Sequence, residues 1–350
     1  MLSSKGSIAS SQARTSRRST VSVSAANVLI ANTKGGGHAF IGLYLAKQLI
    51  AKGHTVTILN DGNEAKLSQK APFSKYSSVD GLKVVYGNPA DPSSYPASEA
   101  GAYDVVYDNN GKDMASCQPM IDHFKGKVAH YIFVGSAGAY KADGVEPQAV
   151  EGDARKSSAG HVEVEAYLKA QSLPFTVLQP LYIYGQDTAK DCEQWWIDRV
   201  IRDRPVPIPG SGVQLTTLSH VEDVAAMLAA VPGNAKAIGQ QYNVCSDRCI
   251  TFSGIAKAVG KALGKEPKIL LYDPEATGTG KPGKADGFPF RTTHFFASSD
   301  KAKRDLDWKP KHDFLSDIGA LVADYNAQGR ASQFIDFTID DKIIAATSTA

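Results

Sequence analysis

A doubly wound α/β fold with a parallel sheet is what this sequence predicts, and three observations carry that expectation. Short β-rich runs alternate with longer amphipathic ones from Val28 onward, a glycine cluster (GGGHAFIG, 35–42) stands between the first run and the first helical stretch, and helix-length segments separate the later runs. Strands spaced in this way imply right-handed βαβ crossovers. In order, VLIA is the first strand and GLYLAKQLIAKG the helix after it, while TVTIL, KVVYG and YDVVYD give three more strands. MASCQPMIDHF then reads as helix, HYIFVGSA as strand, GHVEVEAYLKAQ as helix and FTVLQP as strand. Together they outline a dinucleotide-binding type of sheet over residues 27–185.

After Gly185 the pattern changes. A Trp- and Arg-rich helix (CEQWWIDRVIRDR) leads into a turn-rich strand region (PVPIPGSGVQLTTLSHVEDV), a helix (FSGIAKAVGKALG) and a Gly/Pro/Lys-rich loop (ATGTGKPGKADGFPF). Two more helices are read in SSDKAKRDLDWKPKHDFLSDIGALVADY. A smaller C-terminal α/β lobe is therefore expected over 186–340, with 213–246 returning to the sheet. No internal repeat is present.

The composition, 43% hydrophobic and 21% charged, is that of a globular protein. No apolar run approaches the roughly 18 residues that would cross a bilayer, so no membrane association is expected. Cys117, Cys192, Cys245 and Cys249 lack the paired spacing of a zinc site and read as buried free thiols. The first 26 residues are Ser-rich, carry Lys5, Arg14, Arg17 and Arg18, and hold no acid. That is the composition of an organelle transit peptide; the alternative is a retained basic arm that touches nucleic acid. Without those four cations the chain has 34 basic and 36 acidic side chains, a formal charge of about −2. No global basic field remains, so nucleic-acid binding would need a local patch or partners.

Several blocks together resemble the extended short-chain dehydrogenase/reductase superfamily from Val28 to about Tyr325: FIG after the glycine cluster, HYIFVGSAGAY, VLQPLYIYG, PVPIPGSGVQLTTLSHVEDVA, YNVCSD and LDWKPK. More narrowly, NNGKD at 109–113, GHVEVEAYL, KDCEQWWIDRVIRDRPVPIPGSG and IDFTIDDKI resemble the chloroplast stem-loop-binding protein family, its a-type branch above all. The resemblance implies a Rossmann-like sheet, stem-loop RNA binding, Mg²⁺-dependent endoribonuclease activity and a place in the chloroplast stroma. It also implies association with plastid ribosomes or transcripts, and homo- or hetero-oligomers with a paralogous b-type subunit.

Hydride transfer in the superfamily needs a tyrosine acid/base, a lysine four residues later that lowers its pKa, and a neighbouring serine. Ser136 fills the serine position, but counting back from Glu165 puts Ser157 and His161 at the Tyr and Lys positions. A serine hydroxyl is a much weaker acid than a phenol, and an imidazole lacks the fixed charge of a lysine near neutral pH. Dehydrogenase activity is therefore not expected. The glycine fingerprint is altered as well. Gly36, Gly37 and Gly42 supply its turn and helix approach, Ala39 replaces the middle glycine, and the ribose-gripping acid falls on Asn60. NAD(P) binding stays open on so degenerate a site.

At the strand ends, Asn88 and Asp108 offer oxygen ligands suited to Mg²⁺, and Asp122 follows on the next helix; Asn and Asp at such places also serve as turn formers and caps. A metal on Asp108 would polarise a scissile phosphate, with His161 as a general base or phosphate contact, or else as an ordinary helix histidine. For RNA contact the candidates are Trp195, Arg199 and Arg202, which share one helix face, then Lys281, Lys284 and Arg291.

Overall fold

The structure is a computed structural model that describes residues 25–98, 101–141, 146–188, 190–278 and 287–348. Seven strands form one sheet: β1 (Asn27–Asn32), β2 (Thr55–Asp61), β3 (Leu82–Gly87), β4 (Val105–Asn109), β5 (His130–Val134), β6 (Phe175–Pro180) and β7 (Gln240–Val244). Their order is β7-β6-β5-β4-β1-β2-β3 and every pairing is parallel. β1, β4, β5 and β6 are apolar-rich and almost wholly buried, as strands covered by helices on both faces must be.

One face of the sheet is covered by the helices Ile41–Ala51 and Val221–Leu228, which also pack on each other. Ile41, Leu43, Leu45, Ala46 and Leu49 are all buried there, so the first helix is apolar almost all round. The other face is covered by Met114–Phe124 and Gly160–Ala170 around Met120, Ile121, Val164 and Leu168. Asp113 and Ser116 make a reciprocal capping box that starts the helix Met114–Phe124.

Beyond β6 the chain builds a lobe around Trp196, Phe252, Phe288 and Phe290, between the helices Glu193–Ile201, Phe252–Leu263 and Phe314–Ala327. The parallel pair Val206–Pro209 and Ile269–Tyr272 edges this lobe. The sheet order reverses direction between β1 and β4, and the crevice at such a reversal is where doubly wound folds hold ligands. The glycine loop after β1 and the NNGKD loop after β4 therefore open on the same region.

Candidate functional site: the cleft at the glycine loop

Asn60, Asn32 and Asn109 stand in register across β2, β1 and β4, and their side chains are buried. Asn32 Nδ2 donates to Ala39 O (3.0 Å), Asn60 Oδ1 (3.1 Å) and Tyr76 Oη (2.8 Å). Tyr76 Oη donates to Asn60 Oδ1 at 2.8 Å, and Asn109 Nδ2 to Asn32 Oδ1 at 2.6 Å and His38 O at 2.9 Å. This network fixes the glycine loop from beneath. A Cβ on Gly42 would lie 2.5 Å from the Asn32 side chain, so that glycine serves close packing of helix on strand. Gly36, at φ 77°, makes the turn, and a Cβ there would meet nothing within 4 Å. Gly37 lies against Lys190, whose Cδ would be 3.5 Å from a Cβ placed on it.

Above this loop a cleft of about 260 Å³ is lined by Gly37, His38, Ser136, Tyr182, Lys190 and Arg291, among others. Ser136 Oγ accepts the Gly138 amide at 3.0 Å. Burial pushes the His38 imidazole down to about 4, aided by the nearby His161 and Lys190. Burial also lowers His161, against the attraction of Glu165, while Arg155 lowers it further. Arg291 lies over the Phe295 ring, 4.0 Å from its centre, and donates to the carbonyls of Gly138 and Tyr140. Lys156 Nζ donates to Gly138 O at 3.3 Å. The neighbouring acids are engaged, Asp191 by Arg330 (2.8 Å) and Glu165 by Arg155 (2.8 Å).

The NAD dependent epimerase/dehydratase family matches residues 35–245. The chloroplast stem-loop binding protein of 41 kDa b from Arabidopsis thaliana is 35% identical over 320 residues, 89% of this chain and 83% of that protein. This chain belongs to the chloroplast stem-loop binding branch of the epimerase/dehydratase family. Among solved structures, the NAD complex of dTDP-glucose 4,6-dehydratase from Bacillus anthracis superposes with a TM-score of 0.67 at 16% identity, covering 87% of this chain and 98% of that one. The epimerase Mth375 of Methanothermobacter thermautotrophicus gives 0.66 at 16% identity, over 87% and 94%. At that identity the likeness shows the extended short-chain dehydrogenase fold alone.

Against the fold of this family, several site residues stand differently from what their spacing implies. Ser157 is exposed, and Tyr140, the nearest tyrosine to Ser136 in sequence, is buried with its hydroxyl between Gln179 Oε1 and Asn243 Oδ1, each at 2.9 Å. Asn60 does not face a ribose. It is fully buried, and Asn32 and Tyr76 occupy its carbonyl oxygen. Asp61 beside it is paired with Lys34 at 3.0 Å.

Nor do Asn88, Asp108 and Asp122 fit a divalent cation. Asp108 is buried; its Oδ1 accepts the amides of Asn110 (3.1 Å) and Gly111 (2.8 Å), and its Oδ2 accepts the Tyr131 hydroxyl (2.9 Å). Burial raises its pKa, and those donors oppose the rise. It clamps the turn after β4. Asn88 is exposed, and its Oδ1 closes a turn on the Ala90 amide at 3.0 Å. Asp122 lies on the outer face of its helix, bonded to Tyr167 Oη at 2.5 Å. Among the described residues the three-membered group with metal-ligand spacing is His220, His312 and Asp317. There the two imidazoles stack at 3.6 Å with 14° between their planes, so their in-plane lone pairs do not converge on one ion.

The Trp/Arg helix face is turned inward. Trp195 and Arg199 are buried; Arg199 sits 3.6 Å over the Trp195 ring and makes a two-pronged contact with Asp340. Arg202 donates to Tyr325 Oη (2.9 Å) and to the carbonyls of Arg330, Ala331 and Gln333. The two guanidinium groups are thus engaged with protein partners. Lys281 and Lys284 lie outside the described residues. Arg291 is the RNA candidate that lines the cleft. His38, Lys156 and Lys190 were not singled out from sequence as site residues, although a histidine replacing a small residue inside a glycine fingerprint is a usable signal. Cys117, Cys192 and Cys245 are buried free thiols, whereas Cys249 is exposed.

Proposed function

We propose that this chain is a chloroplast RNA-binding protein that holds stem-loop RNA at the former redox cleft and cuts it as an endoribonuclease in transcript processing. One observation carries the reading: Lys190 and Arg291 line the cleft, Lys156 is bonded to the Gly138 carbonyl on its wall, and Asp191 there is already paired, while Ser157 and His161 fill the sequence positions of the hydride-transfer dyad. A cationic cleft without a redox acid suits phosphodiester better than nicotinamide chemistry. His161, kept neutral by burial, has a lone pair for a ribose 2′-OH proton. No step is routed through Mg²⁺, because the candidate carboxylates are committed elsewhere. The relative's name and the plastid-type leader support the chloroplast, and the stroma, the plastid ribosome and a b-type paralogue complete the proposal.

The test is a side-by-side assay of the purified full chain on labelled stem-loop RNA and on nucleotide sugars with NAD(P)⁺. Salt-dependent RNA binding, and scission lost in His161→Ala, are expected. Nucleotide-sugar turnover abolished by Ser136→Ala, without RNA binding, would replace this reading with that of a working epimerase.

A further inference from the structure

Resting on the RNA reading, we infer that the cleft admits one unpaired nucleotide, with its phosphate against Lys190 and Arg291 at the glycine loop, and excludes duplex RNA. The first argument is size. At about 260 Å³ the cleft is at the small end of the range for small-molecule sites, which limits its occupant to about one nucleotide and leaves no room for two paired strands. The second is the distribution of chemistry along its walls. Pro180, Leu181, Ile183, Pro289 and Phe295 supply apolar lining, while Lys190, Arg291 and Ser136 supply polar groups.

Ser136 Oγ already accepts the Gly138 amide, which leaves its own proton to donate to a phosphate oxygen. The Arg291 guanidinium, over Phe295, offers a planar cation of the kind on which unpaired bases stack. Gly37 lines the cleft, and a Cβ on it would lie 3.5 Å from Lys190 Cδ, so the lysine stem runs along a backbone with no side chain of its own to hold an anion off. Lys190 makes no ion pair among the described residues, and its neighbour Asp191 is held by Arg330. A paired nucleotide would have to leave its stack at a cost of a few kcal/mol, and a loop nucleotide pays little of it. The cleft thereby selects loops over stems.

The probes are a labelled oligouridylate, a short blunt RNA duplex and a stem-loop, with full-length wild type, Lys190→Glu, and Lys257→Glu on the helix Phe252–Leu263 as a charge control. Oligouridylate is expected to bind wild type and the control alike, to lose about tenfold in affinity with Lys190→Glu, and to resist competition by duplex. Photo-crosslinks from 4-thiouridine are expected within 180–192 and 289–295. Equal effects of the two substitutions, duplex competing as well as oligouridylate, or crosslinks elsewhere overturn the inference while stem-loop binding stands. Absence of any RNA binding by wild type overturns the RNA reading itself.

Discussion

Arg199 is the sharpest test of the inward-facing Trp/Arg helix. Its Nη2 and Nε each lie 2.8 Å from Asp340, and Nη1 donates to Trp195 O at 2.7 Å. Both charged groups are buried. Burial works against both charges, pushing Asp340 up and Arg199 down, and their mutual attraction opposes it. Arg199→Ala strands a buried carboxylate and empties the space over Trp195, which costs about 3–5 kcal/mol. At about 2 °C per kcal/mol, the low end for a chain of this size, Tm falls by roughly 6–10 °C. Replacing both partners with apolar side chains, Arg199→Met with Asp340→Leu, recovers most of that loss because no charge is left unpaired. The assays are thermal denaturation by circular dichroism and stem-loop binding on the same samples. A Tm within about 1 °C of wild type, together with a large loss of RNA affinity, would refute the reasoning and return Arg199 to the RNA surface.

Three other outcomes are expected. Millimolar Mg²⁺ or EDTA leaves the Tm of the RNA-free protein unchanged; an ion held by Asp108 at a hundred times its Kd would add about 2.7 kcal/mol, so a rise of several degrees sinks the turn-clamp assignment. Burial lowers His130 and His220 to about 4 from 6.5, so the fold favours their neutral forms. Their contribution is whole above pH 6.5 and is lost as pH falls toward 4, on the order of 3 kcal/mol each. His130→Gln should flatten the decline of Tm across that window, and a wild-type Tm flat down to about pH 5 contradicts the assignment. Gly42→Ala drives a methyl into Asn32 and should lower the unfolding free energy by about 1–3 kcal/mol of overpacking, read as a lower urea midpoint; an unchanged midpoint would mean the loop gives way freely.

The sheet was legible because its strands are apolar runs of the right length and the segments between them carry helical periodicity. What periodicity leaves open is direction. Trp195, Arg199 and Arg202 do share a face, but spacing is silent on whether that face looks out or in. The answer lay in Asp340, Tyr325 and a tail more than a hundred residues away. Asp108 failed as a ligand for a local reason that the sequence does contain. In DNNG the carboxylate is two and three residues before amides it can accept, which is the pattern of an Asx-type turn. Tyr76 had no local signal at all; it reaches Asn32 and Asn60 from a short 3₁₀ segment, Phe73–Ser78, between β2 and β3.

The asparagine row also decides which half of the ancestral cleft remains usable. An acid at the end of β2 grips a ribose only if its oxygens are left for the ligand. Asn60 Oδ1 already accepts from both Tyr76 Oη and Asn32 Nδ2, the two bonds a carbonyl oxygen readily takes, and its Nδ2 donates to Asp61 O at 3.0 Å. Asp61 is drawn to Lys34, a cation just ahead of the glycine cluster. Both side chains at the end of β2 thus have protein partners. On the other side, Lys190 lies against Gly37 of the glycine loop and makes the site costlier for a further cation and more welcoming to an anion, while burial pushes His38 and His161 toward their neutral forms. A ligand that needs both halves loses one anchor, whereas a ligand that brings a single phosphate and a single base needs only the half that stayed open.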